Sequence, residues 1–360
     1  MSEPGAALSG PVLVVGAGLL GTSIGLALRR HGIEVWLDDV SGEHVRTASG
    51  LGAGVAEPEG AEPALVVVCV PPDLLGEQIA RALAEHPGAV VTDVGSVKGE
   101  PLARLQETGA DGLERYVGSH PMAGSERSGP LAASASLFDG RPWAVTPHAG
   151  ADPAATAMVV ALAERCGATA LTMPPDEHDL AVARTSHVPH LLAVLVAGRL
   201  ADAPADHLAL SGQGVRDVTR IAAGDPALWQ QIVTGNAEAV LGLLGEVRGQ
   251  LELLIDAVTR RSRQDLAALL DRGVAGTQAI PGKHGGPTRP MRSVFVSVPD
   301  HPGELARLFA DAGASEVNIE DIHIDHDPGR PVGLVELLVE EASAEHLLAS
   351  LESRGWVTHR

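Results

Sequence analysis

A short apolar run, Val12 to Val15, breaks into Gly16-Ala17-Gly18-Leu19-Leu20-Gly21, and a helical pattern follows from Thr22 to Arg30. Three glycines at this spacing leave little freedom: a strand must enter a tight turn and leave as a helix. Gly16 permits the turn, Gly18 lets backbone approach a pyrophosphate, and Gly21 lets the helix pack on the strand. The free N–H groups at the helix start, at Leu19 and Leu20, face the phosphates with a partial positive charge. A second apolar run, Val35 to Leu37, ends in Asp38 and Asp39. An acid about 20 positions beyond the glycines accepts the ribose hydroxyls of a bound dinucleotide. Asp39 fits the spacing from Gly21 better, but counting does not separate the adjacent pair. A carboxylate there repels a 2′-phosphate, and no arginine follows directly, so NAD is expected rather than NADP.

Further apolar runs lie at Leu65 to Val70, closed by Pro71-Pro72, and at Ala89 to Asp93, Tyr116 to Ser119, Trp143 to Thr146 and Ala168 to Met173. Helical patterns such as Pro72 to Glu85 and Pro153 to Cys166 fall between them. Continuous apolar strands alternating with helices predict a mostly parallel sheet covered on both faces. The expectation is an α/β, Rossmann-type dinucleotide-binding domain over residues 1–174. After Pro174-Pro175 strand signals almost vanish. Apolar residues recur at helical spacing, as at Val240, Leu243, Leu244, Val247, Leu251, Leu254, Ile255 and Val258. This predicts an all-helical domain over 175–276 that buries a face against a second subunit in a homodimer. Residues 277–290 are rich in Gly and Pro and read as a linker. In 291–360, strands are expected at Ser293 to Val298, Ile319 to Ile324, Pro331 to Val339 and Trp356 to Thr358. Helices are expected at Gly303 to Gly313 and Ser343 to Arg354. That is βαββαβ, the ferredoxin-like order.

Composition removes several classes of function. The 360 residues carry 26 Lys and Arg against 46 Asp and Glu, a net charge of −20. This argues against general nucleic-acid binding and against attraction to an anionic membrane. With aromatic residues at 2%, base-stacking platforms are scarce too. Met1 to Gly10 has neither Lys nor Arg and no apolar run, so no signal peptide is expected. Apolar stretches such as Leu191 to Ala197 fall far short of the roughly 18 residues that span a bilayer. Cys69 and Cys166 stand alone, with no CxxC or zinc spacing. The reading is a cytoplasmic protein with two reduced thiols, no nucleic-acid partner and no membrane segment.

In this architecture ligands sit at the carboxyl ends of parallel strands. Val70 closes one such strand. Thr92-Asp93-Val94-Gly95-Ser96-Val97-Lys98 closes the next, and Gly118-Ser119-His120-Pro121-Met122-Ala123-Gly124-Ser125-Glu126 follows. A hydroxyl and an imidazole on neighbouring strand ends can reach one reacting group. His120 is therefore the candidate general base, with Ser96 as its hydrogen-bond partner and Ser119 as a substrate contact. The ordinary pKa of histidine, about 6.5, suits a base working near neutrality.

In the helical part, Ser186-His187-Val188-Pro189-His190 and Arg216-Asp217-Val218-Thr219-Arg220 stand out. Glu177, His178 and Asp179 lie upstream, but Pro189 marks a helix start and no HExxH motif occurs, so no metal is expected. Arg220 offers a planar fork matched to a carboxylate, His190 adds a hydrogen bond, and Arg216 lies nearby. The same spacing suits a solvated ion-pair row of Arg216, Asp217 and Arg220. Trp229 is expected to pack beside this helix.

Taken together, GAGLLG, DVGSVK, GSHPMAGSERSG, EHD with SHVPH, and VRDVTRIAAGDPALW closely resemble the prephenate dehydrogenase family over about Val12 to Arg272. The tail, with Pro299-Asp300-His301-Pro302-Gly303-Glu304-Leu305 and Asn318-Ile319-Glu320-Asp321-Ile322, resembles an ACT domain. The resemblance implies NAD-dependent oxidative decarboxylation of prephenate to 4-hydroxyphenylpyruvate. In that chemistry His120 takes the proton of the ring C4 hydroxyl, Ser96 holds His120 and that hydroxyl, and Arg220 and His190 bind substrate groups. Arg216 stands where relatives commonly have Lys. Arogenate and the 4-amino-4-deoxy analogue remain alternative substrates, and a non-catalytic NAD sensor is a third reading. The ACT resemblance implies an amino-acid effector, tyrosine being the obvious one, at a paired interface involving Asp300, Pro302, Gly303, Asn318 and Ile319.

Overall fold

The computed structural model describes residues 8, 10–60, 62–124, 127–280, 290–326 and 332–359. Ser125 and Glu126, linker residues 281–289 and Pro331 lie outside the described residues. The chain forms two compact units, 1–251 and 252–360.

In the first unit, β1 (Val12–Val15), β2 (Val35–Asp38), β3 (Val55–Ala56), β4 (Leu65–Val68) and β5 (Val90–Asp93) form one sheet in the order β3-β2-β1-β4-β5. Every pair is parallel. Helices α1 (Leu19–Arg29), α2 (Gly42–Gly50), α3 (Leu75–Glu85) and α4 (Gly99–Thr108) connect or follow the strands. The order reverses beside β1, the doubly wound pattern whose crevice opens at the carboxyl ends of β1 and β4. The strands are apolar throughout because both faces are covered. Val12, Val14, Leu65 and Val67 join a core with Ile24 and Leu28, whereas Leu13, Val66 and Val68 join another with Ile79 and Leu83.

A second sheet follows, made of β6 (Gly118–Pro121), β7 (Pro142–Thr146) and β8 (Thr169–Thr172), with α5 (Pro153–Arg165) between the last two. A parallel bridge from Val91 to Tyr116 and a bond from Val117 N–H to the Val91 carbonyl, 3.0 Å, hold it beside β5. Here β6 runs antiparallel to β7, which departs from the expected parallel pattern. An apolar run of four residues carries no mark of its partner's direction.

The helical part begins with α6 (Pro175–Val182), passes through one π-helical turn, Ala183–His187, and continues as α7 (Val188–Gly198). Then come α8 (Ala205–Leu208), α9 (Gln213–Thr219), α10 (Pro226–Gly235) and α11 (Ala237–Thr259). The helical rod Pro175–Gly198 is long and apolar enough, by length and composition, to cross a membrane. Counting unbroken apolar residues misses it because His178, Asp179, His187 and His190 interrupt it. All four are buried in this unit and build the site described below. A small core gathers Ala183, Val188, Val240 and Leu243. Other apolar side chains stay open in the single chain: Leu195, Leu210 and Leu241 are 65%, 86% and 68% exposed.

The second unit contains α12 (Arg263–Gln278), β9 (Met291–Pro299), α13 (Glu304–Gly313), β10 (Ile319–His326), β11 (Val332–Glu340), α14 (Glu341–Ser353) and β12 (Val357–His359). The antiparallel sheet has the order β10-β11-β9-β12. Its period-2 pattern turns Val294, Val296, Val298, Val335, Leu337 and Val339 into a core with Leu308 of α13 and Leu347 of α14. Strands β9 and β10 both run antiparallel to β11 and so point the same way. Ile319 pairs with Val339, which pairs with Arg292, while Pro299 pairs with Val332. The start of β10 and the end of β9 therefore lie at opposite ends of the sheet.

Candidate active site

The glycine turn is built as its spacing demands. Gly16 has φ +103°, and a Cβ there would stand 2.4 Å from the Cys69 carbonyl oxygen. A Cβ on Gly21 would stand 2.0 Å from the Gly16 carbonyl oxygen, so this glycine lets α1 close on β1. Gly18 has nothing within 4 Å of such a position. Helix α1 starts at Leu19 without a side-chain cap, which leaves the first-turn N–H groups available to an anion. The Asp39 carboxylate accepts the Ala17 N–H at 2.7 Å and the Ser41 N–H at 2.7 Å. Asp38 ends β2, and its carbonyl accepts the Gly16 N–H at 2.7 Å. Val70, half-buried, follows β4 across the crevice. An open glycine, an uncapped helix start and an acid at the second strand fit a dinucleotide.

A buried polar knot ties the ends of β5 and β6. Lys98 donates to the Asp93 carboxylate and, at 2.7 Å, to the Ser119 carbonyl. The Tyr116 hydroxyl and the Gly95 N–H each donate to that carboxylate at 2.8 Å. The Ser119 hydroxyl donates to the Asp93 carbonyl at 2.7 Å and accepts from Thr92 at 3.1 Å. Asp93 and Ser119 are fully buried, and Lys98 is 1% exposed. The substrate contact expected of Ser119 is thus corrected: its hydroxyl is spent inside the sheet.

His120 follows immediately. Its Nδ1 lies 3.0 Å from Nε2 of His178, and no hydrogen bond joins it to Ser96 among the described residues. That corrects the expected Ser96 partnership. Ser96 itself is half-buried on the loop from β5 to α4. Nδ1 of His178 is 2.8 Å from Oδ1 of Asp179. The Asp179 carboxylate in turn accepts the N–H groups of Lys98 at 2.9 Å and Gly99 at 2.7 Å, at the start of α4. Burial, with His178, Lys98 and His187 nearby, holds His120 well below the ordinary histidine pKa. Asn236 donates to the Asp179 carbonyl at 2.8 Å and meets His187 Nδ1 at 3.1 Å. Burial pushes His187 down to about 4.

The ring of His190 stacks on Trp229 at 3.5 Å and 7°. Trp229 therefore packs on a functional candidate. Arg220, next to Ile221, is exposed, as is Arg216. Neither is in an ion pair among the described residues. Asp217 accepts from Gln213 at 2.8 Å instead. The solvated ion-pair row is absent, and two guanidinium groups remain unspent. His178 and Asp179 were legible only as possible metal ligands. Their adjacency at the start of a helix was the signal for an imidazole–carboxylate pair. Among the described residues, no group of three or more His, Cys, Asp or Glu is placed to hold a metal.

In the second unit, Asp300, Pro302 and Gly303 form the exposed turn after β9, and Gly303 has φ +95° at the start of α13. Asn318 and Ile319 stand at the start of β10, so a single copy keeps the two groups at opposite sheet ends.

Residues 24–172 match the family model for the prephenate dehydrogenase nucleotide-binding domain, and residues 174–272 match that for its dimerization domain. The probable prephenate dehydrogenase NovF of Streptomyces niveus is 36% identical over 96% of this chain and 98% of its own length. The crystal structure of Aquifex aeolicus prephenate dehydrogenase with hydroxyphenyl propionate and NAD+ is similar at TM-score 0.68 and 28% identity, covering 77% of this chain and 99% of that one. Synechocystis arogenate dehydrogenase is similar at TM-score 0.64 and 28% identity, covering 74% of this chain and 98% of its own. With both domain models matched in order and a relative aligned along nearly its whole length, this chain belongs to the prephenate dehydrogenase family.

Proposed function

We propose that the protein is an NAD-dependent prephenate dehydrogenase that converts prephenate to 4-hydroxyphenylpyruvate and carbon dioxide. The observation that carries this reading is His120, a histidine held well below its ordinary pKa on β6, the strand that follows the bridge to β5 of the dinucleotide-binding sheet. Gly16, Gly18, Leu19, Leu20 and Gly21 hold the pyrophosphate. Asp39, with Asp38 beside it, takes the adenosine ribose, and Val70 and Ser96 flank the nicotinamide. Bound NAD supplies the acceptor for the hydride from ring C4. Nε2 of His120 takes the C4 hydroxyl proton, so a carbonyl forms at C4. The ring carboxylate then leaves as carbon dioxide, its bonding electrons make the ring aromatic and shift the C4 carbonyl electrons onto oxygen, and that oxygen takes back the proton held on His120. Ser96 hydrogen-bonds the same hydroxyl. Arg220, with Arg216 and His190, holds substrate carboxylate groups by charge-assisted hydrogen bonds.

The working form is a homodimer. The open apolar side chains of the helical part and the family's dimerization domain support it. A cytoplasmic location fits two free cysteines. Residues 291–360 form a ferredoxin-like ACT module, supported by its βαββαβ element order. Its edge strand β10 leaves Ile322 and Ile324 41% and 36% exposed. Antiparallel pairing of two β10 edges turns Asn318 and Ile319 of one copy to the sheet end that carries Asp300, Pro302 and Gly303 of the other. An amino acid, tyrosine by product feedback, binds between them.

The test is initial rates of NADH and NADPH formation with prephenate and arogenate as separate substrates, with and without tyrosine. Turnover of prephenate with NAD, inhibited by tyrosine, is expected. Turnover of arogenate alone moves the substrate and leaves the residue roles. No turnover of either overturns the reading.

A further inference from the structure

We infer that His178 and Asp179 are positioning residues that fix which nitrogen of His120 carries the proton. This rests on His120 being the base. Two backbone N–H groups, of Lys98 and Gly99, point at the two oxygens of Asp179. A helix start favours an anion there, so Asp179 presents a carboxylate that only accepts. Its Oδ1 lies 2.8 Å from Nδ1 of His178, which must therefore donate. A neutral imidazole protonated at Nδ1 has a bare Nε2. That bare nitrogen faces Nδ1 of His120 at 3.0 Å, so His120 must donate in turn. The proton of neutral His120 thus sits on Nδ1, and its Nε2 carries the lone pair that a base needs.

Each alternative arrangement is blocked at one link. A proton on Nε2 of both rings would set two lone pairs against each other, one on Nδ1 of His178 and one on Asp179. Both second-rank residues are well packed: His178 is 1% exposed and Asp179 8%. Asn236 fixes the Asp179 backbone through its carbonyl, and the π-helical turn after α6 follows directly. The relay holds orientation as well as tautomer, because the His120 and His178 rings meet edge to face at 73°.

Asp179→Asn tests this with little change of shape. With its oxygen on the Gly99 N–H, its NH2 takes the place of Oδ1 and donates to Nδ1 of His178, while the Lys98 N–H loses its acceptor. His178 then carries its proton on Nε2, donates to His120, and forces the His120 proton onto Nε2. The expected result is a loss of ~10²–10⁴-fold in kcat with KM for NAD unchanged. In 15N spectra of histidine-labelled protein, the protonated nitrogen of His120 moves from Nδ1 to Nε2. Wild-type kcat and an unmoved His120 signal in Asp179→Asn overturn the relay. Should Asp179→Asn not fold, His178→Phe gives the second reading. It removes the acceptor and a neighbour that depresses His120, so kcat falls and the acid limb of kcat/KM moves to higher pH. An unmoved limb with full activity overturns the proposal. His120→Asn separates the two failures: if it retains turnover, the base assignment fails. If it is inactive while Asp179→Asn is normal, only the relay fails.

Discussion

Two polar groups of residues, one at the ends of β5 and β6 and one divided between those ends and the region of α9, are built in opposite ways. Asp93, Lys98, Tyr116 and Ser119 form a closed set in which each donor finds an acceptor inside the fold. His120, Ser96, Arg216 and Arg220 are left with groups that the fold does not use. The closed set holds the strands rigid, and the open set is available to ligands. Buried networks serve as supports only when fully satisfied, and a site is accurate only when such a support stands behind it.

His120→Asn removes the base from the open set, and turnover falls by ~10²–10⁴-fold while NAD affinity stays. Steady-state rates and NAD titration check this. Asp93→Asn acts on the closed set and leaves Lys98 as a buried, uncompensated charge. A stability loss of about 3–5 kcal/mol is expected in denaturant unfolding. Arg220→Ala removes an exposed, unpaired charge. It should leave the thermal midpoint unchanged and raise KM for substrate by roughly 10–100-fold, the worth of a hydrogen bond to a charged group. Unchanged KM with reduced kcat places Arg220 outside substrate binding. Gly18→Ala should fold normally, since nothing lies within 4 Å, and weaken NAD binding alone. Gly21→Ala, 2.0 Å from a carbonyl oxygen, should impair folding itself.

The nucleotide half was legible because its signals are local. Glycine conformation, an apolar strand and one acid lie within about thirty residues, and each has a steric or electrostatic reason. The relay was not legible, because His120 and His178 are 58 positions apart and meet only when α6 packs against β6. Ser119 misled for the same reason. Its neighbour His120 turns toward His178 of α6, but alternation along β6 turns Ser119 into the sheet. The Ser96–His120 bond expected from neighbouring strand ends overlooked a second imidazole on another element. In the second unit, the order of elements followed from period and turn residues. That Gly303 and Asn318 lie at opposite ends follows only from strand register, which a single sequence does not display.

The most direct test of the whole account is the pH dependence of kcat/KM for prephenate. Burial, with His178, Lys98 and His187 nearby, depresses His120, so it remains neutral and competent at pH 6.5, and protonation removes the base only below that. The account predicts a profile flat through neutral pH with an acid limb below 6.5. An acid limb above 6.5, or none that depends on His120, contradicts it.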